Sequence, residues 1–354
     1  MINIGPHFTV PSNSSRFFAD RIEAKNQPVG QIQLAWEESN PYIINSEHRS
    51  ELIHYDSQYC TAVSAIGTEY TIPTLTYIYK VLHFVSTNPT VIDIGCGQGE
   101  FVSELQNRGI NAIGFDPVVR TLIPYVHARY WDSSDSPGDL YVMRCVLPHI
   151  QNPWEFLSDI ARSSPNALVL IEFQRLEWII ENRIWYQVSH DHVNLFTVSD
   201  FKERYEDVKF GTYSNGEWGW VLFNPSKVLT HKITAPAIHT RNLAEIFKDK
   251  EASLRNIAAL GRTIIIWGGA GKGIVLAHAL QSTGSLGFAI DADKHRWNLY
   301  LEGTGLEVLP PDDGLARMTS DGIILVCNPN HLRQVEEYVG GKFDVKMPCD
   351  FINR

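Results

Sequence analysis

Two glycine-rich turns carry the residues best suited to hold a charged ligand. The first reads Asp93-Ile94-Gly95-Cys96-Gly97-Gln98-Gly99 and links an apolar run to a helical pattern. Glycine permits positive φ and lets backbone N–H groups approach a ligand closely, and a helix N-terminus attracts a carboxylate. Asp116 follows about 20 residues later, where an acid accepts hydrogen bonds from ribose hydroxyls. The turn therefore predicts a site for a nucleoside that carries a carboxylate, with Asp93 facing an ammonium group.

The second turn, residues 267–273, reads Trp-Gly-Gly-Ala-Gly-Lys-Gly and again leads from a strand pattern into a helix pattern. The amides of Gly269 and Gly271, together with Lys272, predict a site for a substrate diphosphate. Because no Ser or Thr follows Lys272, the turn is not a P-loop. Asp291 ends the next strand, at the position where a ribose could bind. The alternative is that these glycines only allow the strand and the helix to pack closely.

The first turn and Gly114-Phe115-Asp116-Pro117 together resemble the cofactor site of the class I S-adenosylmethionine-dependent methyltransferases. A nicotinamide nucleotide is the alternative ligand, but the spacing departs from Gly-x-Gly-x-x-Gly. A fold that has lost its ligand is a further alternative. The expected cofactor-binding residues are Asp93, Gly95, Gly97, Gly99, Asp116, Trp131, Asp132 and Arg144. Of these, Trp131 and Asp132 are expected to stack on and cap the adenine, with core packing as the alternative.

A narrower resemblance joins five further segments to the first turn. In chain order they are 146–150, 189–197, 215–217, 267–273 and 324–330. Together they look like the C-methyltransferases of deoxysugar biosynthesis, which methylate a carbon beside the ketone of a nucleotide-linked sugar. The resemblance covers about residues 30–350 and implies a C-terminal Rossmann-like domain that closes over the substrate nucleotide.

Two departures from that family are visible in the sequence. The family's N-terminal zinc module is missing its cysteines, since the five cysteines of this chain are far apart and form no Cys-x-x-Cys pair. We therefore expect no metal. The family's run of an aromatic residue, Asp, Glu and His is Ser189, His190, Asp191 and His192 here.

Methylation of a carbon beside a ketone needs a base and a group that stabilises the enolate oxygen. The resemblance implies that His192 is the base, with Asp191 beside it to raise its pKa or orient its ring. His190 or His149 would donate to the oxyanion. Ser189, Trp185 and Tyr186 would line the substrate pocket, although a turn residue and core aromatics are the alternatives. The histidines could also be ordinary hydrogen-bonded loop residues.

The surrounding pattern alternates short apolar runs with helical segments, which predicts an α/β fold with parallel sheets. A Rossmann-like methyltransferase domain is expected over residues 71–225, including a helix over 72–86 and a terminal hairpin around Ser214-Asn215-Gly216. A second, smaller Rossmann-like α/β domain is expected over 241–354. Residues 1–70 have weak periodicity and predict an irregular N-terminal arm.

The composition limits the classes of molecule that we expect this chain to bind. A net charge of −10 over 354 residues disfavours nucleic acid, and no apolar run reaches the ~20 residues that cross a bilayer. No secretory signal is visible, so a cytoplasmic enzyme with a small-molecule substrate is expected. O- or N-methylation of another metabolite, a scaffold that has lost its chemistry, and an enzyme that binds NAD at the second turn are the competing functions.

Overall fold

In a computed structural model, the structure describes residues 1–37, 41–55, 88–119, 123–230 and 237–352. The strands within these ranges are β1 Ile2–Pro11, β2 Phe17–Phe18, β3 Val29–Trp36, β4 Ile43–Asn45, β5 Thr90–Ile94, β6 Asn111–Phe115, β7 Val126–His127, β8 Leu140–Arg144, β9 Leu168–Gln174, β10 Asn194–Leu195, β11 Lys209–Tyr213, β12 Trp218–Phe223, β13 Ile264–Trp267, β14 Leu286–Ile290, β15 Tyr300–Leu301, β16 Val308–Leu309, β17 Ile323–Val326 and β18 Asp344–Lys346.

The α-helices within the same ranges are α1 Arg21–Lys25, α2 Glu100–Asn107, α3 Pro153–Ser163, α4 Leu176–Glu181, α5 Val198–Lys202, α6 Ala237–Ala259, α7 Lys272–Leu280, α8 Pro311–Arg317 and α9 Leu332–Val339. None of them is both long enough and apolar enough to cross a membrane. The helix expected over 72–86 lies outside the described residues.

The first large sheet has seven strands in the order β11-β12-β9-β8-β5-β6-β7. Strands β5 to β9 are parallel, and the hairpin β11–β12 joins the β9 edge antiparallel. These parallel strands read as near-continuous apolar runs because helices cover a parallel sheet on both faces. The α/β prediction for this part of the chain is confirmed, including the hairpin.

The second large sheet has five parallel strands in the order β16-β14-β13-β17-β18. Its centre is β13, whose residues Ile264, Ile265 and Ile266 are all at most 1% exposed. The strand order reverses at β13 in this sheet, as it does at β5 in the first one. Ligands in open parallel sheets bind beyond the carboxyl ends of the strands at such a reversal, and both glycine-rich turns lie there.

The N-terminal region contradicts the prediction of an irregular arm. Strands β1 and β3 pair antiparallel over most of their length and continue through β4 to β10 as a four-stranded sheet. Strand β2 pairs with β15, next to the second large sheet. One apolar cluster includes side chains of β1, β3, α6 and the second large sheet, so the N-terminal residues are part of a core.

Candidate functional site

The first glycine-rich turn leaves β5 at the centre of its sheet and enters α2 at Gly99. Gly95, Gly97 and Gly99 have φ values of 71°, 59° and 83°, a region that favours glycine. A Cβ on Gly95 would lie 2.4 Å from Val146, whereas a Cβ on Gly97 would meet no atom within 4 Å. Gly97 therefore faces open space, and the turn leaves room for a ligand against its backbone.

Asp116 closes this space from the end of β6. Its Oδ2 accepts a hydrogen bond from the Gly97 N–H at 2.9 Å, and its Oδ1 accepts one from the Val118 N–H at 2.8 Å. Burial raises the pKa of Asp116, while these two hydrogen bonds act in the opposite direction. Each carboxylate oxygen has a second acceptor position, so the residue still has capacity for a pair of ribose hydroxyls.

Asp93 lies on β5 directly beneath the turn and is 2% exposed. Burial raises its pKa to about 7, although the positive charge of Arg144 lowers it and Glu172 and Asp116 raise it further. Arg144 donates from Nε to Glu172 Oε2 at 2.9 Å, and its guanidinium lies 4.8 Å from the centre of the Phe101 ring. Arg144 therefore acts here as the counter-charge of two buried acids, and its predicted contact with the cofactor stays a prediction.

Trp131 and Asp132, the pair expected to stack on and cap the adenine, lie in two different environments. Trp131 is 8% exposed and packs edge-on against Tyr141 and Phe156 within an apolar cluster, which favours the core-packing alternative. The side chain of Asp132 is exposed and accepts a hydrogen bond from the Ser134 N–H at 2.8 Å. The two residues therefore do not form a common stacking surface.

Asp191, His192 and His149 form one cluster. The rings of His149 and His192 meet edge to face with centroids 4.6 Å apart, and His149 Nδ1 donates to the carbonyl oxygen of Asp191 at 2.7 Å. Desolvation of the His192 imidazole lowers its pKa to about 4, helped by His149 and by Lys272 and opposed by Asp191. Within the described part of the chain, no hydrogen bond engages the ring nitrogens of His192.

The carboxylate of Asp191 is almost completely buried. Burial alone would raise its pKa, but His192, His149 and the hydroxyls of Ser189 and Ser14 outweigh that effect and lower it. Ser14 donates from Oγ to Asp191 Oδ2 at 2.9 Å. Ser189 is 3% exposed, and its Oγ has no hydrogen-bond partner among the described residues, so it does not line an open pocket.

His190 does not join this cluster, which corrects its predicted role as an oxyanion donor. The ring is fully buried in the N-terminal sheet against Gly30. Its Nδ1 donates to the carbonyl oxygen of Gln31 at 3.0 Å, and its Nε2 accepts from the Arg49 N–H at 3.3 Å. Both ring nitrogens are thus engaged by the backbone and are not available to a substrate.

Lys272 is also engaged by the protein itself. Its Nζ lies 2.6 Å from Glu217 Oε1, and both side chains are at least 90% buried. Glu217 Oε2 accepts further hydrogen bonds from Asn328 and Asn330, each at 2.9 Å. The lysine therefore neutralises Glu217 between the two large sheets, and the predicted contact with a substrate diphosphate is corrected accordingly.

The amides of the second turn have internal partners as well. The Gly269 N–H donates to Asp291 Oδ2 at 2.7 Å, and the Gly271 N–H donates to the carbonyl oxygen of Ser14 at 2.7 Å. Asp291 is also paired with Arg296 at 3.0 Å. A Cβ on Gly273 would lie 1.8 Å from the Gly268 carbonyl oxygen, so this glycine permits close packing of β13 and α7. These contacts fit the alternative in which the glycines of the second turn only allow the strand and the helix to pack closely.

Trp185 and Tyr186 were expected in the wall of the substrate pocket. Both are at most 1% exposed and pack edge-on against each other with ring centroids 5.2 Å apart. They belong to the large apolar cluster, which corrects the expectation for this side of the site. Across the ranges that the structure describes, no three His, Cys, Asp or Glu side chains are arranged to hold a metal ion.

Two residues of the site were missed in the sequence. Ser14 contacts Asp191 with its hydroxyl and Gly271 with its carbonyl oxygen. Tyr55 lies edge-on to His149 with ring centroids 6.1 Å apart. Desolvation of the Tyr55 hydroxyl raises its pKa, and the carboxylates of Asp191 and Asp116 raise it further. Both residues fall in the region that showed weak periodicity.

A comparison with protein families matches the part of the chain that contains the first glycine-rich turn. A family model described as a methyltransferase domain matches residues 73–214, which include the first glycine-rich turn and the Asp191–His192 pair. The chain is thus an enzyme of the methyltransferase class, and its methyl donor is S-adenosylmethionine. No curated protein matches the chain.

Several solved structures are similar to part of the chain. A SAM-dependent methyltransferase from Archaeoglobus fulgidus is 15% identical over 43% of this chain and 93% of its own, with a TM-score of 0.34. The plantazolicin methyltransferase BpumL with bound SAH is 18% identical over 46% and 85%, with a TM-score of 0.35. A Pyrococcus horikoshii protein is 14% identical over 47% and 94%, with a TM-score of 0.33. Values this low carry no weight for the substrate.

Proposed function

We propose that this enzyme transfers a methyl group to a small-molecule acceptor whose proton is removed by His192. The observation that supports the proposal is the edge-to-face contact of His192 and His149 beside the buried Asp191 carboxylate. The cofactor would be held by Gly95, Gly97 and Gly99, with Asp93 and Asp116 for its ammonium and ribose. When bound, S-adenosylmethionine supplies an electrophilic methyl group on a sulfonium.

His192 has the properties of a general base. Its pKa is lowered to about 4, so the imidazole is neutral at pH 7 and a ring nitrogen can accept a proton. The same shift makes it a weaker base than an ordinary histidine. The carboxylate of Asp191 would stabilise the imidazolium once the proton has arrived, because opposite charges at short distance favour the charged form.

His149 is suited to relay or accept a proton rather than to donate to an oxyanion. A carbonyl oxygen only accepts hydrogen bonds, so the hydrogen of neutral His149 lies on Nδ1, which faces the Asp191 carbonyl. Nε2 is then an acceptor. An enolate donor would therefore require protonated His149 or the hydroxyl of Tyr55, whose ring contacts it.

For the acceptor we propose the carbon beside the ketone of a nucleotide-linked deoxysugar, as the resemblance of the five segments implies. The strand order of the second sheet supports a Rossmann-like domain over 241–354 that would contribute to this acceptor site, following a methyltransferase domain over 71–225. The second candidate is methylation of oxygen or nitrogen in another metabolite. It is favoured by the internal partners of His190 and Lys272, because that reaction needs a base and no enolate donor.

Substitution of His192 tests the proposal. His192→Ala should lower kcat by about 10²–10⁴-fold, the usual contribution of a positioned base, and leave the affinity for S-adenosylhomocysteine unchanged. The acidic limb of the wild-type pH profile should fall near pH 4 rather than near 6.5, because the base works in its neutral form. Activity would be measured with labelled methyl donor on a panel of nucleotide-linked keto sugars.

Isotope exchange separates the two acceptor classes. With S-adenosylhomocysteine bound, a carbon acceptor should exchange its alpha proton for solvent deuterium, and His192→Ala should stop the exchange. An oxygen or nitrogen acceptor should show no exchange at carbon. The matched variant is His149→Ala in the neighbouring ring. Full activity of His192→Ala with strong loss in His149→Ala would transfer the role of base to His149.

A further inference from the structure

A cavity of about 690 Å³ lies away from the cofactor turn, between β1, α6 and α7. Its volume falls in the range of small-molecule sites, roughly 300–1,000 Å³. Phe8, Trp185, Leu254 and Val275 contribute apolar walls, while Lys250 and His278 contribute nitrogen atoms. Of the residues that the sequence analysis expected at the methyl-transfer site, only Trp185 lines this cavity.

The charge of this cavity is opposite to that of the whole protein. The chain carries a net charge of −10, with 40 acidic residues against 30 Lys and Arg. The thirteen residues that line the cavity, all in the described ranges, include one lysine, two histidines and neither Asp nor Glu. A ligand that enters this cavity meets cationic and neutral donors and no lining carboxylate, so an anion is the complementary occupant.

Lys250 is the one lysine that lines this cavity. The residue is 8% exposed, and its Nζ lies 4.0 Å from the centre of the Phe8 ring and 5.8 Å from that of Trp185. Its one carboxylate neighbour among the described residues, Glu251, is 3.9 Å away and mostly exposed. A lysine buried on aromatic faces, whose carboxylate partner is exposed to water, is unfavourable for stability, and burial lowers its pKa.

His278 faces the same space from α7. Its Nε2 lies 3.3 Å from the Thr9 hydroxyl, and its Nδ1 is buried without a hydrogen-bond partner in the described chain. Burial lowers the pKa of His278, and the charge of Lys250 lowers it further, which indicates that the two groups are close enough to interact. The buried ammonium and the unpartnered imidazole nitrogen are two independent polar groups at one recess.

We infer that this cavity binds a small organic anion, an apolar ring or chain that carries one carboxylate or phosphate group. The anionic group pairs with Lys250, the apolar body packs against Phe8, Trp185 and Val275, and Thr9 and His278 supply hydrogen bonds. The inference does not depend on the identity of the methyl acceptor. It gives the chain a second ligand site, formed by elements outside the first large sheet.

Calorimetry with three probes of similar shape tests the site on the full chain. Benzoate and phenyl phosphate should bind with saturation, and uncharged benzyl alcohol at least tenfold more weakly. Comparison of the two anions decides between a carboxylate and a phosphate as the preferred group. Saturating S-adenosylhomocysteine should not change either affinity. Absence of saturable binding, equal binding of benzyl alcohol, or competition by S-adenosylhomocysteine would overturn the inference.

Variants on one helix provide the control. Lys250→Met should weaken binding of both anions at least tenfold and leave the melting temperature unchanged or higher, since the variant removes a buried charge and loses only an exposed ion pair with Glu251. Lys248→Met makes the same charge change at an exposed position of α6 and should leave binding within twofold. Equal losses in both variants, or none in Lys250→Met, would contradict the site. Ala279→Leu keeps Lys250 and fills the cavity, so it should block binding even if Lys250→Met fails to fold.

Discussion

Asp93 is mostly protonated below pH 7 as long as no cation reaches it. Burial raises its pKa from the usual 3.8 to about 7, so the folded chain binds an extra proton between these values. The residue therefore contributes stability at low pH, and this contribution is lost as the pH rises towards 7. A bound ammonium group would reverse the shift, because an opposite charge favours the carboxylate.

Cofactor binding should consequently release a proton when it is measured slightly below pH 7. We expect the affinity for S-adenosylhomocysteine to rise with pH up to about 7 and to level off above it. Calorimetry at pH 6.5 in two buffers with different ionisation enthalpies would measure the release. Asp93→Asn should abolish it. Glu302, whose pKa burial also raises to about 7, bonds to Ser12 and Asn13 rather than to the turn, so Glu302→Gln should leave the release unchanged. Equal release in Asp93→Asn would disprove the assignment.

At the scale of residues, the sequence predicted the conformation of the first glycine-rich turn better than the partners of the side chains expected in catalysis. The turn is local, because the strand, the glycines and the helix follow one another between residues 90 and 107. The role of His190 was wrong, since its partners Gln31 and Arg49 lie 159 and 141 positions away. Lys272 was misassigned for the same reason, with Glu217 contributed by a different sheet. The pairing of such groups is determined by tertiary structure that no local pattern contains.

At the scale of elements, the turn between β5 and α2 allows two effects of a substitution to be separated. One is the loss of space for the cofactor, and the other is backbone strain. Gly97 and Gly109 both have positive φ, 59° and 76°, and a Cβ on either meets no atom within 4 Å. Alanine at either position should therefore cost about 1 kcal/mol of stability through the backbone conformation. At Gly97 the new methyl group would also occupy the space proposed for the cofactor.

We expect Gly97→Ala to weaken S-adenosylhomocysteine binding at least tenfold and Gly109→Ala to leave it unchanged. Chemical denaturation would establish that the two variants lose similar stability, and calorimetry would compare their affinities. If both variants bind like the wild type, the open side of Gly97 is not where the cofactor lies.

The elements themselves were predicted closely where their apolar runs were continuous. The apolar runs 90–94, 111–115, 218–223 and 286–290 each predict a strand, and β5, β6, β12 and β14 begin and end at those residues. Strand β1 was missed because most of its side chains are exposed and its register shifts between Ile4 and Phe8. Strand β3 does alternate, with Gly30, Ile32 and Leu34 buried, and this signal was present in the sequence.

In the whole molecule, the Lys272–Glu217 pair joins the two large sheets. Removing one partner of a buried pair leaves an uncompensated charge, which typically costs about 3–5 kcal/mol. We expect Glu217→Gln to lower the free energy of unfolding by about that amount. The double variant Glu217→Gln with Lys272→Met should recover most of the loss. Denaturant unfolding followed by circular dichroism would measure both.

The matched control is an ion pair on the surface. Arg333 and Glu337 lie 2.9 Å apart with side chains that are 90% and 66% exposed. Glu337→Gln should change the free energy of unfolding by less than about 1 kcal/mol, because water screens exposed pairs. If Glu217→Gln costs no more than Glu337→Gln, the buried pair does not hold the two sheets together.

The N-terminal segment has a consequence for the way this chain is made. Ser12 and Asn13 bond to Glu302, about 290 positions later, and Phe17 and Phe18 pair with β15 in the same region. At roughly 5–20 residues per second, a ribosome needs about 15–60 s to synthesise the intervening chain. Within that interval the first large sheet is completed at β12 and can form its core, while Phe17 and Phe18 still await their partners. The interval during which the nascent chain needs protection is thus determined by the separation in sequence of these paired segments.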